Sequence, residues 1–261
     1  MTIENGKPGD DVIAGAMTTA GLTKLMRAAA TSWTTAEGVT RHWRRQDLVV
    51  RAFNRYFEEL SRQAPAGSVA HLTALGSPDN AADDPADEVI ETVLAVAADR
   101  PLRRRRAELV AARGAELRAD LLVLDGDTFW ARTGGDVLTN HGNPDHSHGG
   151  AEIIDQLLCP SYVPALFSLT PHGTTQLAGR TCVEVTARPR TDVSDDERWD
   201  WPGEPFGMIT GGEEFRLAVD ASTGVIVRAS KFVDGELAEV TEWRELRLGP
   251  ELAASLFASV D

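Results

Sequence analysis

Cysteine is nearly absent: Cys159 and Cys182 are the only two in 261 residues. A disulfide framework is therefore excluded, and no CxxC or Cys/His spacing suggests zinc. Two buried free thiols, or a single disulfide, are expected. No run of about 18 or more apolar residues exists, so no helical membrane span is predicted. The start, Met1-Thr2-Ile3-Glu4-Asn5-Gly6, has no cationic stretch leading into an apolar one. No signal peptide is read from it, and a cytoplasmic location is expected, or export if a leader has been removed. Positive charge is scarce, with 26 Lys/Arg against 40 Asp/Glu and a net charge of −14. That balance excludes general nucleic-acid binding, which needs clustered cations. The acidity is uneven: residues 81–261 hold 17 Lys/Arg and 32 Asp/Glu, while residues 1–80 are close to balanced. Also missing are a Gly-x-Ser-x-Gly elbow, a P-loop and a dinucleotide fingerprint, so no cofactor is assigned and catalysis is not the first reading.

Strand signal is plentiful. In the last third, Phe215, Leu217 and Val219 alternate with other residues, Asp220-Ala221-Ser222-Thr223-Gly224 turns the chain, and Val225 to Phe232 runs back. Asp234-Gly235 turns it again into Leu237–Leu248. Two-residue alternation between Gly-bearing turns predicts an antiparallel meander with one buried face. Upstream, Val89–Ala97, Leu102–Val110, Glu116–Leu124, Thr128–Ala131 and Val137–Thr139 read as further strands, and Gly173–Leu177 with Thr181–Arg188 as a strand pair. Ile153, Ile154, Leu157 and Leu158 predict a short helix stopped by Pro160; Leu166, Phe167 and Leu169 form a separate short element. Near the N-terminus, Leu22, Leu25, Met26 and Ala29 predict a helix over about 18–33. Trp43, Val50, Phe53, Phe57 and Leu60 predict a second over 36–63.

The expected organisation is one α+β domain. Residues 1–17 form a flexible arm and 18–63 the N-terminal helices packing on the sheet. Residues 64–88 form a Pro/Gly/Asp-rich loop, and 89–261 the antiparallel sheet. A one-faced sheet must cover its apolar side, and a curved sheet closed by an N-terminal helix and a short mid-chain helix encloses a hollow.

Three stretches carry a family resemblance. Leu124-Asp125-Gly126-Asp127-Thr128-Phe129-Trp130 resembles the DG-x-x-W hairpin of LolA-like proteins. Ala178-Gly179-Arg180-Thr181-Cys182-Val183-Glu184-Val185 is similar to their GR-x-x-x-x-V strand. Phe215–Asp220 with Thr223–Arg228 resembles their L-x-V-D-x-x-T-G-x-x-x-R hairpin. Residues 89–257 are thereby similar to the outer-membrane-lipoprotein-carrier type of superfamily, actinobacterial relatives and RseB-like sigma-factor regulators included. The resemblance implies a curved antiparallel half-barrel closed by helices. It also implies an apolar cavity that takes acyl chains or other hydrophobic ligands, often without catalysis.

His141, Asp145, His146 and His148 form the densest set of chemistry-bearing side chains. Imidazole beside carboxylate suits general acid–base work, and the same donor types suit a metal. Equally, Asn140–Gly150 reads as a polar surface loop; no metal is assigned. Arg103-Arg104-Arg105-Arg106 suits an acidic head group, or a solvated strand that discourages edge pairing. Trp199, Trp201 and Phe206 lie in an acidic insertion, 189–212, that either meets a ligand or partner or tucks onto the core.

The expected function is binding of a hydrophobic small molecule or acyl chain in the hollow. Its expected lining is Trp43, Phe53, Phe57, Phe129, Trp130, Phe167, Phe215 and Trp243. Alternatives are a cavity enzyme, a cyclase or isomerase of a specialised pathway using His146 or Asp145, and a non-catalytic regulator holding a protein partner.

Overall fold

Eleven strands of the described residues run antiparallel in one open sheet. They are β1 (Thr35–Arg45), β2 (Val89–Asp99), β3 (Arg104–Arg113), β4 (Leu121–Asp125), β5 (Thr128–Thr133), β6 (Asp136–His141), β7 (Phe167–Leu177), β8 (Arg180–Pro189), β9 (Glu214–Asp220), β10 (Ile226–Val233) and β11 (Glu236–Leu248). The structure, a computed structural model, describes residues 17–63, 89–114, 119–141, 151–193 and 212–258. The order β6-β5-β4-β3-β2-β1-β11-β10-β9-β8-β7 joins two meanders, β2–β6 and β7–β11, through β1. The helices are α1 (Thr19–Ala28), α2 (Gln46–Gln63), α3 (Ala151–Leu158) and α4 (Val163–Leu166). This is the expected α+β half-barrel, curved and not closed, with an N-terminal and a short mid-chain helix against it. Among the described residues no helix is long and apolar enough to cross a membrane.

The main departure lies at residues 36–45, expected as the start of a helix. They belong to β1, the strand on which the two meanders meet. Alternation explains it: Ala36, Gly38, Thr40 and His42 share one face, and Glu37, Val39, Arg41 and Trp43 the other. Gly38 lets β11 approach, because a Cβ there would stand 2.0 Å from the Glu245 carbonyl oxygen. The chain passes from Arg45 straight into α2 with no turn residue between. The separate elements expected at 166–169 and 173–177 are likewise one strand, β7, with an irregularity between Pro171 and Thr174.

One face of the sheet, the inner face, carries the main core. Leu22 and Met26 of α1, Ile154, Leu157 and Leu158 of α3, and Val163 and Leu166 of α4 bury against Leu94, Val96, Val185, Phe215, Leu217 and Trp243. α3 packs against both β3 and β10, so it spans the hollow across β2, β1 and β11. Arg105 Nε donates to Asp155 Oδ1 at 2.5 Å, tying α3 to β3. Trp33 Nε1 donates to the Leu158 carbonyl at 3.1 Å, tying the end of α1 to the end of α3. Helix α2 docks elsewhere. Its Leu48 and Ala52 bury against Val233 and Ala238, and Arg55 grips Glu213 and Asp234 at 2.8 Å each. It therefore sits at the end of the β10–β11 hairpin.

The resemblance motifs fall on the hairpins where they were read. Asp125-Gly126 joins β4 to β5, Ala178-Gly179 joins β7 to β8, and Asp220–Val225 joins β9 to β10. Two of them lock together, since Arg180 Nε donates to Asp220 Oδ2. Asp220 Oδ1 accepts from the backbone N–H and hydroxyl of Ser222 at 2.9 and 2.6 Å. It also accepts from those of Thr223 at 2.7 and 2.8 Å. Gly224, with φ +79°, closes the turn beneath α1; a Cβ there would stand 2.3 Å from the Leu25 carbonyl oxygen.

Both cysteines are free, Cys182 buried as expected and Cys159 half-buried. Burial, with the Asp155 charge adding to it, pushes the Cys159 thiol up to about 11. Burial, with the Asp220 charge, does the same for Cys182, to about 11. Both are expected to react with an aromatic disulfide reagent at pH 8 on the order of a hundredfold more slowly than an ordinary thiol. Both should titrate at once after unfolding in urea. A fast phase in the folded protein contradicts this.

Candidate functional site

Cover on the inner face is unequal. Beneath α1 and α4, Val183, Val185, Phe215 and Leu217 are fully buried. On the β3–β6 wing, the inner-facing Leu109, Leu124, Phe129 and Ala131 are only half-buried, and Leu138 is 63% exposed. The register places these in line: Leu138 opposes Ala131, Ala131 opposes Leu122, and Leu124 opposes Phe129. The result is a strip of apolar side chains beside α3, on the inner face, that the described helices do not close. The middle of the hollow, by contrast, is filled by α3 itself.

Below α3 the inner face of the middle strands turns polar in three adjacent rows. Leu94, Thr40 and Trp243 stand opposite one another, then Thr92, His42 and Thr241, then Ile90, Arg44, Glu239 and Lys231. All of Thr40, His42, Thr92, Thr241 and Lys231 are buried, Lys231 to 2% exposure. His42 Nε2 and Glu239 Oε1 share a hydrogen bond of 2.5 Å. Burial pushes the Glu239 carboxyl up, but the His42 hydrogen bond and the charges of His42, Lys231 and Arg44 outweigh it, and the carboxyl ends below its usual range. A buried charged group survives only with such partners.

The expected lining residues divide between the faces. Phe129, Phe167, Phe215 and Trp243 are on the inner face, the last three fully buried. Trp43, opposite Glu91 and Val240, and Trp130, packed by Val123 and Phe257, are on the outer face. Phe53 is half-buried on α2. Phe57 lies on α2 with its side chain outside the described residues, as does that of His141 at the end of β6. Asp145, His146, His148, Trp199, Trp201 and Phe206 lie outside the described residues altogether. Among the described residues no three His, Cys, Asp or Glu side chains gather as metal ligands do. The four-arginine run is consumed internally: Arg103 pairs with Asp127, Arg104 with Asp125, Arg105 with Asp155 and Arg106 with Glu108. That is the solvated-strand reading.

The three polar rows escaped the sequence reading. His42 was hidden in a supposed helix, and Thr92, Thr241, Glu239 and Lys231 come from three strands with no shared spacing. One signal was present: Lys231 and Glu239 fall on the apolar phase of alternating strands, where a charge is out of place.

The outer face also has a groove of about 580 Å³, lined by Glu184, Thr186, Glu214, Arg216, Arg228 and Ser230 among others. Its charges answer one another. Arg188 and Arg216 approach Glu214 at 2.8 and 3.3 Å, and Arg228 approaches Glu242 at 3.1 Å. The neighbouring ladder is similar, with Arg41 bridging Glu91 at 2.6 Å and Glu242 at 3.2 Å. This is a self-paired, solvated face.

No family model and no curated protein sequence matches the chain. Solved structures similar to it include MucB, at 13% identity and a TM-score of 0.43, over 92% of this chain and 62% of MucB. They include lipoprotein LppX of Mycobacterium tuberculosis, at 11% identity and a TM-score of 0.44, over 87% of this chain and 97% of LppX. A Vibrio parahaemolyticus domain described as outer-membrane-lipoprotein-sorting is similar at 6% identity and a TM-score of 0.33, over 90% of this chain and 95% of that domain. The chain shows an open, curved antiparallel sheet with helices on its inner face, and the three resembling motifs sit at its β4–β5, β7–β8 and β9–β10 hairpins.

Proposed function

We propose that this chain binds a hydrophobic small molecule or acyl chain against the inner face of its β3–β6 wing. One observation carries the reading: apolar residues that face inward stay uncovered there, with Leu138 at 63% exposure, while Leu169, Val183, Val185, Phe215 and Leu217 on the other wing are buried. An inward apolar strip left open is a surface that a ligand stabilises by covering. Each buried methylene contributes roughly 0.8 kcal/mol. A ten-carbon chain supplies about 8 kcal/mol before association costs are subtracted. Native mass spectrometry of freshly purified protein tests the reading, with a co-purified amphiphile as the expected result. Leu138→Glu is expected to weaken a dodecyl probe about tenfold with little change in stability, since the residue is exposed and a buried leucine is worth roughly 1.5–3 kcal/mol. Unaltered affinity would remove the wing as the site.

A further inference from the structure

We infer that the polar rows beside the wing hold the head of the ligand, and that the head is a carboxylate, so the guest is an acidic amphiphile and not a neutral oil. The inference rests on the reading just given and specifies its chemistry. The first observation is a donor left over. Trp243 is 3% exposed on the inner face, and among the described residues its indole N–H has no hydrogen-bond partner. Burying such a donor unpaired is costly, and native interiors rarely tolerate it. The second is its company. Thr40 stands opposite Trp243, and Thr92 and Thr241 flank His42 in the next row. Among the described residues no hydrogen bond reaches these three buried threonine hydroxyls. Four unspent groups thus converge on a patch two rows deep, with rows roughly 7 Å apart along the strands and neighbouring strands about 4.8 Å apart. The third is charge. Glu239 is already engaged by His42, while Lys231 and Arg44 lie in the adjoining row. N–H and O–H donors with two cations in the adjoining row suit an oxygen-rich anion.

The patch also adjoins the strip. Leu109 opposes Leu94, Leu94 opposes Thr40, and Thr40 opposes Trp243, so one row runs from the wing to the indole. A chain laid over Leu109 and Phe129 has its polar end beside Thr40 and Trp243.

The test compares dodecanoate with methyl dodecanoate by isothermal titration of the full chain. Wild-type protein is expected to bind dodecanoate at least tenfold more tightly than the ester. Trp243→Phe and Thr241→Val should each narrow that gap to under threefold. Thr241→Val removes only a hydroxyl that no described group uses, so it decides the matter if Trp243→Phe folds poorly. The indole ¹H–¹⁵N resonance missing from Trp243→Phe should shift with dodecanoate and not with the ester. Leu138→Glu should weaken both probes alike. Equal affinity for acid and ester in wild-type protein overturns the head site and leaves the wing reading standing. Binding of neither probe overturns both.

Discussion

Replacing Gly38 with alanine is expected to cost about 3 kcal/mol or more, the upper end of what overpacking an interior produces. The added methyl carbon would meet the Glu245 carbonyl oxygen at 2.0 Å and its carbon at 2.8 Å. Both belong to the backbone of β11 and cannot swing aside as a side chain would. The strain falls where β1 joins the two meanders, beside the register shift between Val39 and Thr40. For a chain of this length the loss corresponds to a fall in Tm of roughly 6–12 °C. Gly135→Ala serves as the control. Nothing lies within 4 Å of the carbon added there, and a change within about 0.5 kcal/mol is expected. Thermal and urea melts of the two variants decide it. A Gly38→Ala protein that melts with wild type would show that β1 does not pair with β11 in this register.

Gly38 also shows where the sequence was readable and where it was not. Apart from β7, both meanders were legible, because their strands alternate and most of their turns carry Gly or Asp-Gly, signals confined to a few neighbouring residues. β1 was not. Trp43 keeps helical phase with Val50, Phe53, Phe57 and Leu60, and no breaker separates Arg45 from Gln46. A strand feeding directly into a helix therefore reads as one long helix. What identifies β1 as a strand is its partners, Val89–Asp99 on one side and Glu239–Leu248 on the other, and those lie far away along the chain. The candidate site follows the same logic. Phe129, Phe167, Phe215 and Trp243 were named as lining residues, yet alternation alone could not say which face curves inward. That left Trp43 and Trp130 grouped with residues on the opposite face. The polar rows exist only after β2, β1, β11 and β10 are set side by side.

The second large effect concerns Asp220, which links two of the resemblance motifs and fixes the turn under α1. Its carboxylate is 3% exposed and paired with Arg180. Asp220→Ala would strand Arg180 and leave the Ser222 and Thr223 N–H groups without their acceptor. Removing one partner of a buried pair costs about 3–5 kcal/mol. Asp220→Asn keeps the shape and the turn contacts but discards the charge, so a smaller loss is expected, about 1–3 kcal/mol. The pH dependence separates the two roles. Burial pushes the Asp220 carboxyl up, but hydrogen bonds from Arg180, Ser222 and Thr223 overcome it, and the folded-state value lies below the ordinary one. A depressed carboxylate adds stability that is fully present above its unfolded value, near 4, and fades as pH falls through the folded value. Wild-type protein is therefore expected to lose stability below about pH 4 more steeply than Asp220→Asn, which has no proton to take up at that position. Urea melts of both proteins between pH 3 and 7 measure the difference. Parallel profiles would mean that Asp220 holds the turn by hydrogen bonding alone and that its ion pair with Arg180 adds nothing to folding.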